Sequence, residues 1–412
     1  MCRGVILLIV YLISCKAEIR QERRCTQEPH DVNVQRRYTQ EPHEVYVQDY
    51  MQKECFALKY ESLILEGGGL KGLAYAGAAK ALAEHGYFSN NVWQFKNLTG
   101  TSIGCLFGYF LALDISAEGI EKIVLNTDFR SIFYKDVRKL FQIPIPPNSN
   151  SYFTEKISYF YELMQYVRRL MFLWMKNNSP GLSNGSDIKR WILQNTIKYS
   201  PYRNVITENT TMREFEDITQ HRLTCYATKI SSKKDIKLLT LNAETAPDQT
   251  VLKVLYASMS LPLIFKPLRG TAENTAILDG GLLLNFPIYS QDWNGRKNQR
   301  VLGLSLHTDP TDSRKYKESN FGQPGEDDDK PIYSTIKMLK LIQNIIYSTS
   351  ASAFIQYSTD ANNWDRIIYL NASSLPTIAF DLTKEDISHH TKMAYIQTIN
   401  FLKRQYTKNF HS

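Results

Sequence analysis

The residues in this chain best suited to nucleophilic chemistry are Gly100-Thr101-Ser102-Ile103-Gly104, a serine with a glycine two positions away on either side. A serine hydroxyl attacks a carbonyl carbon only when a base takes its proton and donors meet the oxygen that turns negative. The surroundings suit both needs. A short apolar segment, Phe95 to Thr99, leads into the turn at Gly100, and an apolar helix is expected from about Ile103. A serine on so sharp a strand-to-helix turn is backbone-strained, and side chains at 100 or 104 would collide with neighbouring backbone. The helix that follows would aim its free amides and positive dipole end at a developing oxyanion. Five such letters recur by chance, and it is their place between a strand and a helix that gives them weight.

Two further groups could complete that chemistry. Gly67-Gly68-Gly69-Leu70-Lys71-Gly72 follows the apolar strand Ser62 to Leu65 and heads an alanine-rich helix expected over Leu73 to His85. Successive glycine amides can turn inward together and cradle a negative charge. Gly67, Gly69 and Gly72 also satisfy a dinucleotide-binding pattern, but no second strand ending in an acidic residue follows about 20 positions on. No Gly-Lys-Ser/Thr is present for a P-loop, so an oxyanion hole is the better use of these glycines; Lys71 either adds charge beside it or is a solvated residue at a helix start. Asp279-Gly280-Gly281, after Thr275 to Leu278, places a carboxylate on a glycine turn at a strand end. An aspartate is a poor base at its usual pKa of about 3.9, so the site must raise it or position it closely. Of the eight histidines, His307 after Leu304-Ser305-Leu306 is the triad candidate, and a satisfied sheet-edge residue is its plainer reading.

The elements that must position these groups alternate. Strands are expected at Arg222 to Lys229, Asp235 to Leu241, Ala276 to Leu278 and Val301 to Leu306, and helices at Val251 to Met259, Ile332 to Phe354 and Asp386 to Tyr406. This pattern predicts an α/β sheet covered on both faces. The 412 residues and 43% hydrophobic content can fill a large core. A net charge of +8, scattered in pairs such as Lys233-Lys234, suits an anionic lipid surface better than nucleic acid. Six cysteines without CxxC spacing offer no disulfide framework and no metal site.

The first 17 residues, Met1-Cys2-Arg3 and an apolar run to Ser14, read as a signal peptide, or as a lipoprotein signal with Cys15 lipidated. No later run reaches the about 18 apolar residues of a membrane span. Residues 18–56 read as a polar linker in which TQEPHDVNVQ at 26–35 returns as TQEPHEVYVQ at 39–48. Residues 57–410 read as one catalytic domain, with an exposed loop at 309–331. Tyr152 to Lys176 carries aromatic and apolar residues near helical spacing with Arg168, Arg169 and Lys176, so it could lie on a membrane, cover an acyl pocket or simply pack on the sheet. Asn97, Asn184, Asn209 and Asn371 head glycosylation sequons, and a glycan on Asn97 would conflict with folding.

In the order GGGxKG, GxSxG and DGG, these blocks resemble the patatin-like phospholipases over roughly residues 60 to 300. Tyr226-Ala227-Thr228, Ala257-Ser258-Met259-Ser260-Leu261-Pro262 with Phe265 and Pro267, and Asn285-Phe286-Pro287 extend the likeness; Glu66 is a minor departure. The resemblance implies a three-layer α/β/α sandwich with a mainly parallel central sheet and a serine nucleophile elbow. It implies a Ser102–Asp279 dyad, an oxyanion hole near Gly68 and Gly69, and neither cofactor nor metal. The expected activity is phospholipase A-type release of fatty acids from glycerophospholipids at a membrane surface. A neutral-lipid or small-ester hydrolase and an inactive lipid-binding or interaction module are the rivals. Oligomeric state stays open.

Overall fold

The computed structural model describes residues 60–129, 132, 181–232, 235–270, 275–294, 296–306, 365–372, 375 and 382–410. The leader, the linker with its repeat, the 152–176 segment, His307, the 309–331 loop and the 332–354 helix lie outside them.

An eight-stranded sheet organises the described chain. Its strands are β1 (Ser62–Leu65), β2 (Asn97–Thr101), β3 (Arg222–Ser232), β4 (Asp235–Leu241), β5 (Leu268–Arg269), β6 (Ala276–Asp279), β7 (Val301–Ser305) and β8 (Ile367–Tyr369). β8, β7, β1, β2 and β3 run parallel in that spatial order, while β6 and β4 pair antiparallel with β3 and β5 closes on β6. The fold is therefore α/β with a mainly parallel central sheet flanked by helices. The short apolar runs that read as strands are buried on both faces, as parallel strands must be. Leu63, Leu65, Leu302, Leu304 and Ile368 belong to the large core shared with the helices. Ile64, Val301 and Ile367, at the alternate positions, meet Phe286 and Ile288 in a second cluster.

The helices are α1 (Tyr75–Leu82), α2 (Ile103–Ala112), α3 (Ala117–Asn126), α4 (Ser186–Tyr199), α5 (Met212–Thr219), α6 (Val251–Ser258) and α7 (Lys384–Phe410). A 3-10 turn, Gly69–Ala74, precedes α1. Every residue of α2 is buried, which accounts for a sequence that is apolar all round. α5 starts on a capping box in which Thr211 accepts from the Glu214 amide and Glu214 accepts from the Thr211 amide. No helix among the described residues is long and apolar enough to cross a membrane.

The cysteines depart from their reading in one respect: Cys105 and Cys225 form a disulfide between α2 and β3. They are 120 positions apart and meet only because Gly100, at the end of β2, is paired with Cys225. Asn97, by contrast, behaves as its place in the sheet demands, donating its side-chain amide to Ser62 Oγ at 3.1 Å.

Candidate active site

Ser102 stands between β2 and α2 with φ 53° and ψ −123°. For a residue with a Cβ this is a strained backbone, costing of order 1–3 kcal/mol, and it persists only where the surroundings hold it. Two features do so. The backbones pack so closely that a Cβ on Gly104 would lie 2.4 Å from the Leu65 carbonyl oxygen, and one on Gly100 would lie 2.4 Å from the carbonyl carbon of Gly104. The Ser102 amide donates to Ser258 Oγ at 2.9 Å, and the Ser258 hydroxyl donates to the Tyr226 carbonyl at 2.7 Å.

Asp279 reaches the same spot from the opposite strand direction. On one edge of β3, Thr101 is paired with Tyr226 in parallel and Asp279 with Ala227 antiparallel. The ends of β2 and β6 thus abut, which brings the Asp279 carboxyl close enough to the Ser102 hydroxyl for the two to interact. Asp279 is 4% exposed. Burial pushes its carboxyl up to about 6, against the opposing pull of hydrogen bonds from the Ser102 hydroxyl and the Gly281 amide. The Gly281 amide donates to Asp279 Oδ1 at 2.7 Å. Around its backbone, the Asp279 amide donates to the Ser260 carbonyl at 3.0 Å and the Thr228 hydroxyl to the Asp279 carbonyl at 2.9 Å. The stretch from 258 to 260 therefore holds both Ser102 and Asp279 by the main chain.

The glycine run lies beside them. Gly69, with φ 56°, lines the same cavity as Ser102. Among the described residues neither the Gly68 nor the Gly69 amide meets a protein acceptor, as expected at the start of a helical turn. The Lys71 amide is spent inside the turn on the Gly68 carbonyl. Gly72 packs against Ile103, and Gly67 is locked to Asn285, whose carbonyl accepts from the Gly67 amide at 2.9 Å and whose side-chain amide donates to the Gly67 carbonyl at 3.0 Å. Asn285 thereby ties the glycine segment to the aspartate turn. The structure thus gathers Ser102, Asp279, Gly100, Gly104 and the glycine run at one end of the sheet.

Glu66 does more than its reading as a minor departure suggests. It is fully buried; Oε2 accepts from the Ser305 hydroxyl and the Leu306 amide, both at 2.7 Å, and Oε1 from Asn285 at 3.2 Å. Ser258 was legible only as part of a motif, and Glu66 only as a deviation from one. The described histidines are engaged away from Ser102. His221 sits between the Phe95 carbonyl and Asp114, His85 meets the Ala81 carbonyl, and His390, edge-on to His389, meets the Asp386 carbonyl.

An apolar cavity of about 720 Å³, its open mouth included, begins at Ser102. Its walls include Leu70, Leu106, Phe107, Met259 and Phe265. A strained serine close to a buried carboxylate of raised pKa, beside unpaired amides and in the wall of an apolar cavity, has the groups that acyl transfer on a substrate with a hydrocarbon tail requires.

The family model described as Patatin-like phospholipase matches residues 63–290, from β1 to just beyond Asn285. This chain belongs to the patatin-like phospholipase family. The patatin-like match contains the glycine run, the Ser102 elbow and the Asp279 turn. Among curated proteins it is similar to the uncharacterized protein YqhO of Bacillus subtilis, 26% identical over 251 residues that cover 59% of this chain and 70% of that one. It is also similar to the uncharacterized protein R571 of Acanthamoeba polyphaga mimivirus, 26% identical over 231 residues, 55% of this chain and 60% of that one. Among solved structures, VipD from Legionella pneumophila aligns with TM-score 0.46 and 19% identity, covering 85% of this chain and 68% of that one. ExoU of Pseudomonas aeruginosa, in its complex with SpcU, aligns with TM-score 0.44 and 15% identity over 84% and 52%.

Proposed function

We propose that this chain is a serine lipid-acyl hydrolase of phospholipase A type, with Ser102 as nucleophile and Asp279 as its base. The observation that carries the reading is the juxtaposition of the Ser102 turn with a buried Asp279 carboxylate, where β2 and β6 end at successive residues of β3, its pKa raised to about 6. At neutral pH such a group is still ionised, yet far more basic than an exposed aspartate, which is what a general base requires. Family membership supports a lipid ester as substrate.

The reaction would run in two halves. Asp279 takes the hydroxyl proton as Ser102 Oγ bonds to the ester carbonyl carbon, and the amides of Gly68 and Gly69 with the head of α2 meet the oxyanion. Collapse breaks the carbon–oxygen bond to the glycerol side; Asp279 returns its proton to that oxygen, leaving an acyl-Ser102 ester. Water, deprotonated by Asp279, then attacks the acyl carbon, the proton goes back to Ser102 Oγ, and the fatty acid leaves. The Ser102 amide is committed to Ser258. The glycine run is therefore assigned the oxyanion, and Lys71 a supporting positive charge. The chain would work peripherally on a membrane surface, delivered there by the leader or lipid anchor read at residues 1–17.

The test is fatty-acid release from phosphatidylcholine–phosphatidylglycerol vesicles with calcium chelated, for the full chain, Ser102→Ala and Asp279→Asn. Release that both substitutions abolish supports the reading. Vesicle binding without release, from phospholipid or from short esters, would overturn it in favour of a lipid-binding module.

A further inference from the structure

The cavity that begins at Ser102 follows one face of α2. Ile103, Leu106, Phe107 and Phe110 line it at i, i+3, i+4 and i+7, a single stripe of the helix. At 1.5 Å per residue, Phe110 lies about 10 Å along the axis from Ile103. There the stripe meets aromatic rings. Trp191 of α4 stands edge-on to Phe110, with centroids 6.0 Å apart, and edge-on to Phe129 at 6.2 Å. Its ring is pinned, because Nε1 donates to Thr127 Oγ1 at 3.2 Å.

Trp191 has a second face. With Ile123 it also lines an open groove of mixed walls, among them Lys122, Asp187, Arg190 and Gln194 but also Ile132 and Tyr199. Arg190 and Asp187 pair there at 2.8 Å. The half-buried indole therefore parts an apolar cavity from an open groove of mixed polarity that carries charged side chains.

We propose that Trp191 is the stop that sets the length of acyl chain accepted at Ser102. The inference rests on the acyl-transfer reading of Ser102 and adds a specificity-determining residue to it. Each methylene held against apolar walls raises kcat/KM about fourfold. A chain that ends short of Trp191 collects this gain for every carbon. A longer chain must either displace a ring held by two aromatic neighbours and a hydrogen bond, or fold back, and the gain stops. Behind the indole the groove is open to solvent and half polar, so a hydrocarbon tail gains less per carbon there than in the apolar cavity.

The experiment compares kcat/KM of the full chain, Trp191→Ala and Trp191→Leu on p-nitrophenyl esters from butyrate through octanoate to palmitate. Wild type should climb to a medium-chain optimum and fall beyond it. In both variants the palmitate-to-octanoate ratio should rise about tenfold. Trp191→Leu keeps much of the apolar volume, so the comparison survives if the alanine variant does not fold. An unchanged ratio in a variant that still turns over octanoate overturns the proposal. Calorimetric binding of octanoate and palmitate to the same proteins reads the cavity without turnover. A tenfold rise in relative palmitate affinity supports the stop even if no ester is cleaved, in which case only the hydrolase reading fails; equal ratios overturn the stop itself.

Discussion

Ser258 accepts the backbone amide of Ser102 at 2.9 Å and hands its own proton to the Tyr226 carbonyl, so one hydroxyl spans the serine turn, β3 and the end of α6. It touches no part of the substrate path and acts only through where it holds Ser102. Ser258→Ala should lower kcat about 10- to 100-fold with KM within about twofold, the signature of a misplaced nucleophile. Ser258→Thr should restore most of the loss, since it keeps the hydroxyl. Equal losses in both variants, or a change confined to KM, would mean that the bond does not position the reaction.

Asp279 fixes the pH behaviour. Only its ionised form can take the Ser102 proton, so kcat/KM should rise about tenfold per pH unit below about 6 and level off above it. The expected stability effect has the opposite sense. A carboxyl raised in the fold stabilises it below the unfolded value, and that contribution is lost as pH rises through about 6. Asp279→Asn, which never ionises, should therefore gain on the wild type between about pH 4 and pH 7, by at most about 3 kcal/mol. Denaturant unfolding at the two ends of that range reads the difference. A constant gap would show that ionisation of Asp279 costs the fold nothing.

Gly104 is where α2 and β1 come closest. A methyl there would lie 2.4 Å from the Leu65 carbonyl oxygen and 2.7 Å from that of Glu66. Both are backbone atoms and cannot swing aside. Gly104→Ala should destabilise the protein by about 3 kcal/mol or more, or prevent soluble expression, despite its better helix propensity. Thermal unfolding measures this; a gain in stability would mean that the two backbones lie farther apart.

Glu66 latches three segments behind the site. Glu66→Ala strands the Ser305 hydroxyl, the Leu306 amide and the Asn285 side chain, each of which now donates to it. Leaving buried donors unmet costs about 1–3 kcal/mol apiece, so a loss of roughly 3 kcal/mol or more is expected, with a melting temperature lower by about 6–12 °C. Calorimetry of the two proteins decides it.

Much of this was legible along the chain. The runs at 62–65, 222–229, 235–241 and 301–306 read as strands, and strands formed at Ser62–Leu65, Arg222–Ser232, Asp235–Leu241 and Val301–Ser305. The helices read from Ile103, Val251 and Asp386 formed within two residues of those starts. The glycine turns, too, announced themselves by type. These are local matters: the period of apolar residues and the presence or absence of a Cβ are settled by near neighbours.

What only the tertiary structure decided is which of those turns meet. Ser102 and Asp279 come together because β2 and β6 end at successive residues of β3, a register that no spacing within either segment specifies. The Cys105–Cys225 disulfide, the grip of Ser258 on Ser102, the burial of Glu66 and the place of Trp191 in the wall of the cavity depend on the same packing. The raised pKa of Asp279 follows from it as well, since burial is a property of everything folded around a carboxylate and not of the residues beside it in the chain.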